Sequence, residues 1–337
     1  MNRLFTSSLL FFATLQIAHA TPARRMLMNT QVGTPPAEAQ KIVNALVAKL
    51  TLSTQLHGEA LGKALETKLT ADAGPVNEAD HWRKEIALGR SRFIEGNYPG
   101  AIAKLEEARQ ALWQRQALMA RNQGLREPLH QALLFLAHTY LRTQKNARAI
   151  EIIGEAVRSF PDHHPALAKY APELVQLYKR VSRDLNQKRK ATLEIITDEE
   201  GCLAFVNGRY AGITPTKVPD MLPGRYAVYV QKPGRRGRIH RVQMAGSNNR
   251  LRIDFSLDSA LVTRGAVGLH YATLAMAQRY EAEHASLLAQ TVQADEVILV
   301  GYRAYHGRKA LSGRVVAAAT GRTVRSGMLT LDPAPPT

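Results

Sequence analysis

Residues 199–215, EEGCLAFVNGRYAGITP, bring several reactive side-chain types close together. Glu199 and Glu200 offer paired carboxylates, Cys202 is the chain's one thiol, and Arg209-Tyr210 follow an Asn-Gly pair. A working thiol needs nearby cations or a helix N-terminus to lower its pKa. Cys202 instead stands beside Glu199, Glu200 and Leu203, so a structural thiol is expected. Elsewhere the residues of catalysis do not assemble. The sequence has no Gly-x-Ser-x-Gly elbow, no His-Glu-x-x-His helix, no phosphate-binding Walker loop and no dinucleotide fingerprint. His163-His164 is an adjacent pair, and adjacent side chains point apart on most backbones, so it is not assigned a metal. His240, His270, His284 and His306 are scattered singly. No catalytic residue, metal ligand or cofactor is assigned, and the chain reads as a non-enzyme. The alternative is an enzyme, or enzyme subunit, with a site near Arg303-Ala304-Tyr305-His306 at the end of a C-terminal strand.

Charge speaks for binding instead. With 45 Lys and Arg against 28 Asp and Glu, the formal net charge is +17. Such a surplus attracts polyanions. It is concentrated in KPGRRGRIHR, where Lys232, Arg235, Arg236, Arg238 and Arg241 surround a glycine-rich hairpin tip and form a candidate polyanion site. Nucleic acid fits this tip less well than an anionic cell-wall polymer or lipid head group, because no aromatic residues interleave with the arginines to stack bases. The opening MNRLFTSSLLFFATLQIAHA has the parts of an export signal: Arg3, an apolar stretch from Leu9 to Ala18, and the cleavage pattern Ala18-His19-Ala20. Cleavage would leave a periplasmic, secreted or cell-surface protein with no transmembrane span. One cysteine permits no intrachain disulfide.

Three elements must position these groups. From Glu38, EAQKIVNALVAKL places Val43, Leu46, Val47 and Leu50 on one helical face, and Leu61, Leu65 and Leu69 follow before Ala73-Gly74-Pro75 breaks the pattern. The next stretch repeats itself: EIALGRSRFIEGNYPGAIAKLEEARQAL from Glu85, then LFLAHTYLRTQKNARAIEIIGEAVRSFP ending at Pro161. Gly89, Ala101 and Ala108 in the first copy match Ala137, Ala149 and Ala156 in the second. Small residues at that spacing let two antiparallel helices approach closely, and the stretch resembles a pair of degenerate tetratricopeptide repeats. The copies lie about 48 positions apart rather than the repeat's usual ~34, so an insert around Gln114–Pro128 lengthens the connection. A basic amphipathic helix from Pro172 closes a helical domain over residues 36–190. The resemblance implies that Arg83, Arg90, Gln131, His138 and Arg142 face a concave groove, where an acidic peptide or a peptide carboxylate would bind.

At Ala191 the apolar period changes to two. Short strands alternate with turns at Asn207-Gly208 and Pro223-Gly224, giving a small all-β unit over residues 191–257. Glu200-Gly201, Phe205-Val206-Asn207-Gly208, Gly212-Ile213-Thr214-Pro215 and Leu222-Pro223-Gly224-Arg225-Tyr226 together resemble the PEGA domain of bacterial surface and envelope proteins. Glu199 stands where that motif has Pro and Cys202 where it has Ala. In this reading the glycines serve backbone geometry, and Glu199 and Glu200 are loop-tip charges. Residues 258–332 read as a small α/β domain, and 333–337 as a disordered tail. The expectation is a multidomain α + β chain: a helical solenoid, a PEGA-like β domain and a C-terminal α/β domain. It would serve as an exported scaffold or adaptor in a bacterial envelope, binding a partner protein or an anionic surface polymer.

Overall fold

The computed structural model describes residues 23–330 apart from 73, 76, 247, 306 and 307. The expected export signal and the tail from 333 therefore lie outside the described residues, as does His306. The described chain opens with β1 (Arg25–Val32), α1 (Ala37–Leu50), α2 (Gly58–Lys68) and the two-residue strand β2 (Ala71–Asp72). Next come α3 (Ala79–Ile94), α4 (Tyr98–Trp113), α5 (Gln116–Arg121), α6 (Arg126–Arg142), α7 (Asn146–Ser159) and α8 (Pro172–Asn186). Strands follow as β3 (Ala191–Thr197), β4 (Leu203–Val206), β5 (Arg209–Ile213), β6 (Thr216–Met221), β7 (Gly224–Lys232), β8 (Arg235–Met244) and β9 (Asn248–Ile253). The chain ends in α9 (Phe255–Ala260), β10 (Leu261–Val262), β11 (Gly268–Tyr271), α10 (Leu274–Val292), β12 (Glu296–Tyr305), β13 (Arg308–Ala317) and β14 (Thr323–Thr330). This is a mixed α/β chain of several units. Among the described residues no helix is long and apolar enough to cross a membrane.

The domain boundaries differ from the expected ones at one decisive place. The C-terminal sheet has the order β10-β11-β1-β12-β13-β14, with β1 parallel to both β11 and β12. Its central strand thus comes from the start of the described chain. The expected helical domain began at residue 36, yet α1 and α2 pack on this sheet. On one face Leu27 meets Val43 of α1 together with Val300 and Leu311. On the other, Met26 and Met28 meet Leu61 and Leu65 of α2 and Leu288 and Ala289 of α10. The physical reason is burial. A strand covered on both faces needs two helix layers, and α1 and α2 supply parts of both. Gly62 fixes how closely α2 approaches, since a Cβ there would sit 2.1 Å from the Thr263 carbonyl oxygen. Thr70 and Asp258 lie side by side, with Thr70 Oγ1 3.5 Å from Asp258 Oδ1. Everything between them is inserted into one α/β unit.

The inserted helices form two hairpins, α3/α4 and α6/α7, with α8 added. Asn97 caps α4 by accepting from the Gly100 N–H at 3.0 Å. Gly89 of α3 faces Leu105 of α4, where a Cβ would come within 2.8 Å of the leucine side chain. The expected insert at 114–128 is α5 and the start of α6. The inserted strands form two sheets, β6-β3-β9 and β2-β8-β7-β4-β5, whose inner faces enclose Leu193, Ile195, Val228, Val230 and Phe255. The Asn207-Gly208 turn is as expected, with φ of 49° and 71°.

The two inserted units are locked together through that turn. Arg126 donates to the Asn207 and Ser159 carbonyls at 3.0 and 2.9 Å. Asn207 Nδ2 donates to Ser159 Oγ at 2.9 Å, and Gln123 Nε2 to the Gly208 carbonyl at 3.0 Å. Ala117 and Ala120 of α5 pack on Phe205, Tyr229 and Ile239. Gly208 is needed for contact as well as for its φ, because a Cβ would come within 2.7 Å of Met119. The insert is therefore the docking surface for the β unit and not a spacer.

Beneath this junction His130 is buried against Phe160 and His163, and its Nε2 has no partner among the described residues. Burial lowers its pKa from the ordinary 6.5 to about 4, and the nearby His163, Arg126 and His164 push the same way against Glu127. The unfolded chain takes up this proton first, so stability is lost as pH falls from about 6.5 towards 4. Between pH 7 and pH 5 the loss from this site is expected to be about 1–2 kcal/mol. Urea midpoints at the two pH values should differ less in His130→Leu than in the parent protein.

Candidate functional site

Helices α3 and α6 lie side by side on one surface of the helical unit, with the start of α8 beyond them. Across them runs a row of half-buried rings. Tyr98 lies 5.9 Å from Phe93, Phe93 lies 5.4 Å from Phe135, and Phe135 lies 5.9 Å from Tyr170, centroid to centroid. His138 joins the row 4.8 Å from Phe93. Arg90 places its guanidinium 5.4 Å from the centre of the Phe135 ring, a cation–π arrangement. Exposed Arg142 stands beside Tyr98. His138 also lies 3.4 Å from Glu173 of α8, and burial lowers its pKa despite that carboxylate.

Of the five residues expected on this face, Arg90, His138 and Arg142 border the rings. Arg83 is half-buried and turned to Asp80 and Asn122 at 2.7 and 3.1 Å, and Gln131 donates to Glu127 at 2.9 Å. The rings themselves were missed. Phe135 is four positions after Gln131 and three before His138, so it shares their helical stripe. It carries no charge to set it apart in the sequence.

The hairpin cations are not the unopposed cluster that their sequence suggests. Glu199, expected as a free loop-tip charge, accepts both Arg235 guanidinium donors at 2.8 Å and Lys232 at 3.1 Å. The Arg235 bonds hold its carboxyl pKa below the usual range. Arg235 also stacks 4.8 Å from the Phe255 ring centre. Arg238 is only 2% exposed and donates to the Thr70 carbonyl at 2.7 and 2.5 Å. Arg236 and Arg241 remain exposed. Residues far apart in the chain supplied these partners, so local sequence carried no sign of them. Cys202 is fully buried, its thiol pKa raised by that burial, and its Sγ lies 3.2 Å from the Glu199 carbonyl.

The α/β unit holds a buried polar chain. Ser256 Oγ lies 3.1 Å from His284 Nε2, and the Tyr271 hydroxyl 3.0 Å from His284 Nδ1. Its order suggests a nucleophile and base, but Ser256 and His284 are 2% and 1% exposed. A substrate has no access to either. One turn away on α10, Glu281 accepts from Thr30 and Arg303 and pairs with Arg314. Arg303 of the expected strand-end site is thus part of a buried ion cluster. Tyr305 ends β12, and its neighbour His306 lies outside the described residues.

The turns of the inserted β unit, now placed in two facing sheets, can be compared with known families. Residues 190–259 match the PEGA domain. The match covers β3 to β9 and most of α9, a minor part of the chain, and identifies that unit alone. In the PEGA domain of this chain Gly208 closes the β4/β5 hairpin, and the two departures, Glu199 and Cys202, both point into contacts. No curated protein and no solved structure matches the chain.

Proposed function

We propose that the protein is a non-catalytic adaptor of a bacterial envelope that holds a segment of a partner protein on the ring-bearing face of α3 and α6. The single observation behind this reading is the row Tyr98-Phe93-Phe135-Tyr170, half-exposed and bordered by Arg90 and Arg142. Tyr, Phe and Arg are enriched where protein interfaces concentrate their binding energy. A partner segment with apolar side chains and an acidic group or terminal carboxylate suits rings bordered by arginine, which can grip a carboxylate with two parallel bonds. The helix pairs are tetratricopeptide-like in this reading. Support comes from the fully buried small residues Ala101, Ala108, Ala137, Ala149 and Ala156 at their matching positions. Export rests on the signal-like first twenty residues, and the bacterial envelope setting on the PEGA resemblance.

An array of fifteen-residue peptides, half ending in an acidic residue and containing one aromatic, tests the reading. Peptides that bind should lose at least about tenfold in affinity on Phe135→Ala and on Arg142→Glu, the cost of losing one central anchor. Arg142 is exposed, so its change leaves folding intact. Binding that survives both substitutions, or no binding anywhere on the array, would reject this surface. Polyanion capture by the hairpin is the weaker reading, because Glu199 neutralises Arg235 and Lys232 and Arg238 is buried.

A further inference from the structure

A second site lies where the α/β unit meets the PEGA hairpin. The chain leaves β1 for α1 on one face of the sheet, and leaves the adjacent parallel strand β11 for α10 on the other. Connections that part in this way open a crevice at the carboxyl ends of the two strands, the place where open α/β sheets take ligands. A cavity of about 410 Å³ occupies it here. Gln31 and Gly33 line it from the end of β1, Tyr271 and Ala272 from the end of β11, and Met276 from the first turn of α10. The hairpin residues Gly234–Arg238 close its other side. The volume falls in the range of small-molecule sites.

Its charges decide the class of ligand. Arg238 is a buried cation whose bonds, among the described residues, all go to carbonyls: two to Thr70 and a long one of 3.5 Å to Leu261. Burial lowers its pKa, while Asp258 and Asp72, which also line the cavity, act the other way without bonding to it. Asp258 is itself held by His240 at 2.6 Å, and Asp72 caps the Gly74 N–H at 2.8 Å. Arg236, also in the lining, bonds among the described residues only to the Gly74 carbonyl, at 3.2 Å. A cation taken out of water calls for a counter-charge. The positive end of the nineteen-residue helix α10 adds to the same field. We propose that this crevice binds a small molecule carrying a phosphate group. Guanidinium groups and a helix N-terminus are the pairing that recurs around phosphates, and the site is independent of the helical face.

Calorimetric titration of the full-length protein with pyrophosphate, in about 150 mM salt to screen diffuse attraction, tests the assignment. One saturable site is expected. Arg236→Ala should weaken it at least about tenfold, because a charge-assisted contact is lost. Ala272→Trp, at an exposed lining position, should abolish it by filling the crevice. Arg241→Ala removes an equal charge from the same hairpin outside the cavity and should leave affinity within about twofold. Absence of a saturable site overturns the proposal. So does an Arg241→Ala loss equal to that of Arg236→Ala, or tighter binding of succinate than of pyrophosphate.

Discussion

Residues 255–337 expressed alone are expected to stay unfolded, with a far-ultraviolet spectrum of random coil and no cooperative urea transition. The fragment contains β11, β12 and α10 but lacks β1, which hydrogen-bonds to both strands along their length. Without it the sheet has a gap the width of a strand, and Leu269, Val297 and Leu299 lose Met26, Met28 and the α2 leucines beside them. The converse experiment is constructive. Because Thr70 and Asp258 are adjacent, residues 23–70 joined to 255–332 by a short Gly-Ser linker should fold cooperatively. A folded 255–337 fragment would show that β1 is not the strand that completes this sheet.

The second large effect concerns Glu281. Its carboxylate is 1% exposed and gathers Arg303 from β12, Arg314 from β13 and the hydroxyl of Thr30 from β1. Glu281→Ala would leave two half-buried arginines without their counter-charge. Breaking a buried ion cluster from one side costs about 3–5 kcal/mol, which lowers the melting temperature of a unit this size by about 10–20 °C. Changing Glu281 together with both arginines to apolar residues of similar volume should recover most of that loss, since an intact buried ion cluster adds little net stability over well-packed apolar groups. A Glu281→Ala midpoint in urea equal to that of the parent would mean that water replaces the carboxylate at both arginines without cost.

What the sequence revealed, and what it hid, follows from the range of the forces involved. The PEGA unit was legible because its signals are local. Asn207-Gly208 and Pro223-Gly224 mark turns through φ preference, and RYAVYVQK, rich in aromatic and β-branched residues between turn signals, forms β7. The helix pairs were legible from the small residues at their contacts. β1 was not, because RMLMNTQV is enclosed on both faces and shows no alternation to detect. Helices α1 and α2 could be read as amphipathic, but an apolar stripe does not say which surface it covers. Glu199 looked free for the same reason: Arg235 and Lys232 lie more than thirty positions away. The candidate face was half legible. Its arginines stood out by charge, while Phe93 and Phe135 carry no local mark that separates a surface ring from a core one.

The split of the α/β unit also sets an order of events during synthesis. The first strand of its sheet leaves the ribosome early, yet both of its neighbours belong to the last third of the chain. The helical and PEGA units can close on themselves while β1 waits without a partner. The sheet can be completed only when β11 and β12 arrive, so a nascent chain stalled before residue 268 carries two finished units and one apolar strand with nothing to pair with. In that interval the strand is a natural target for a chaperone.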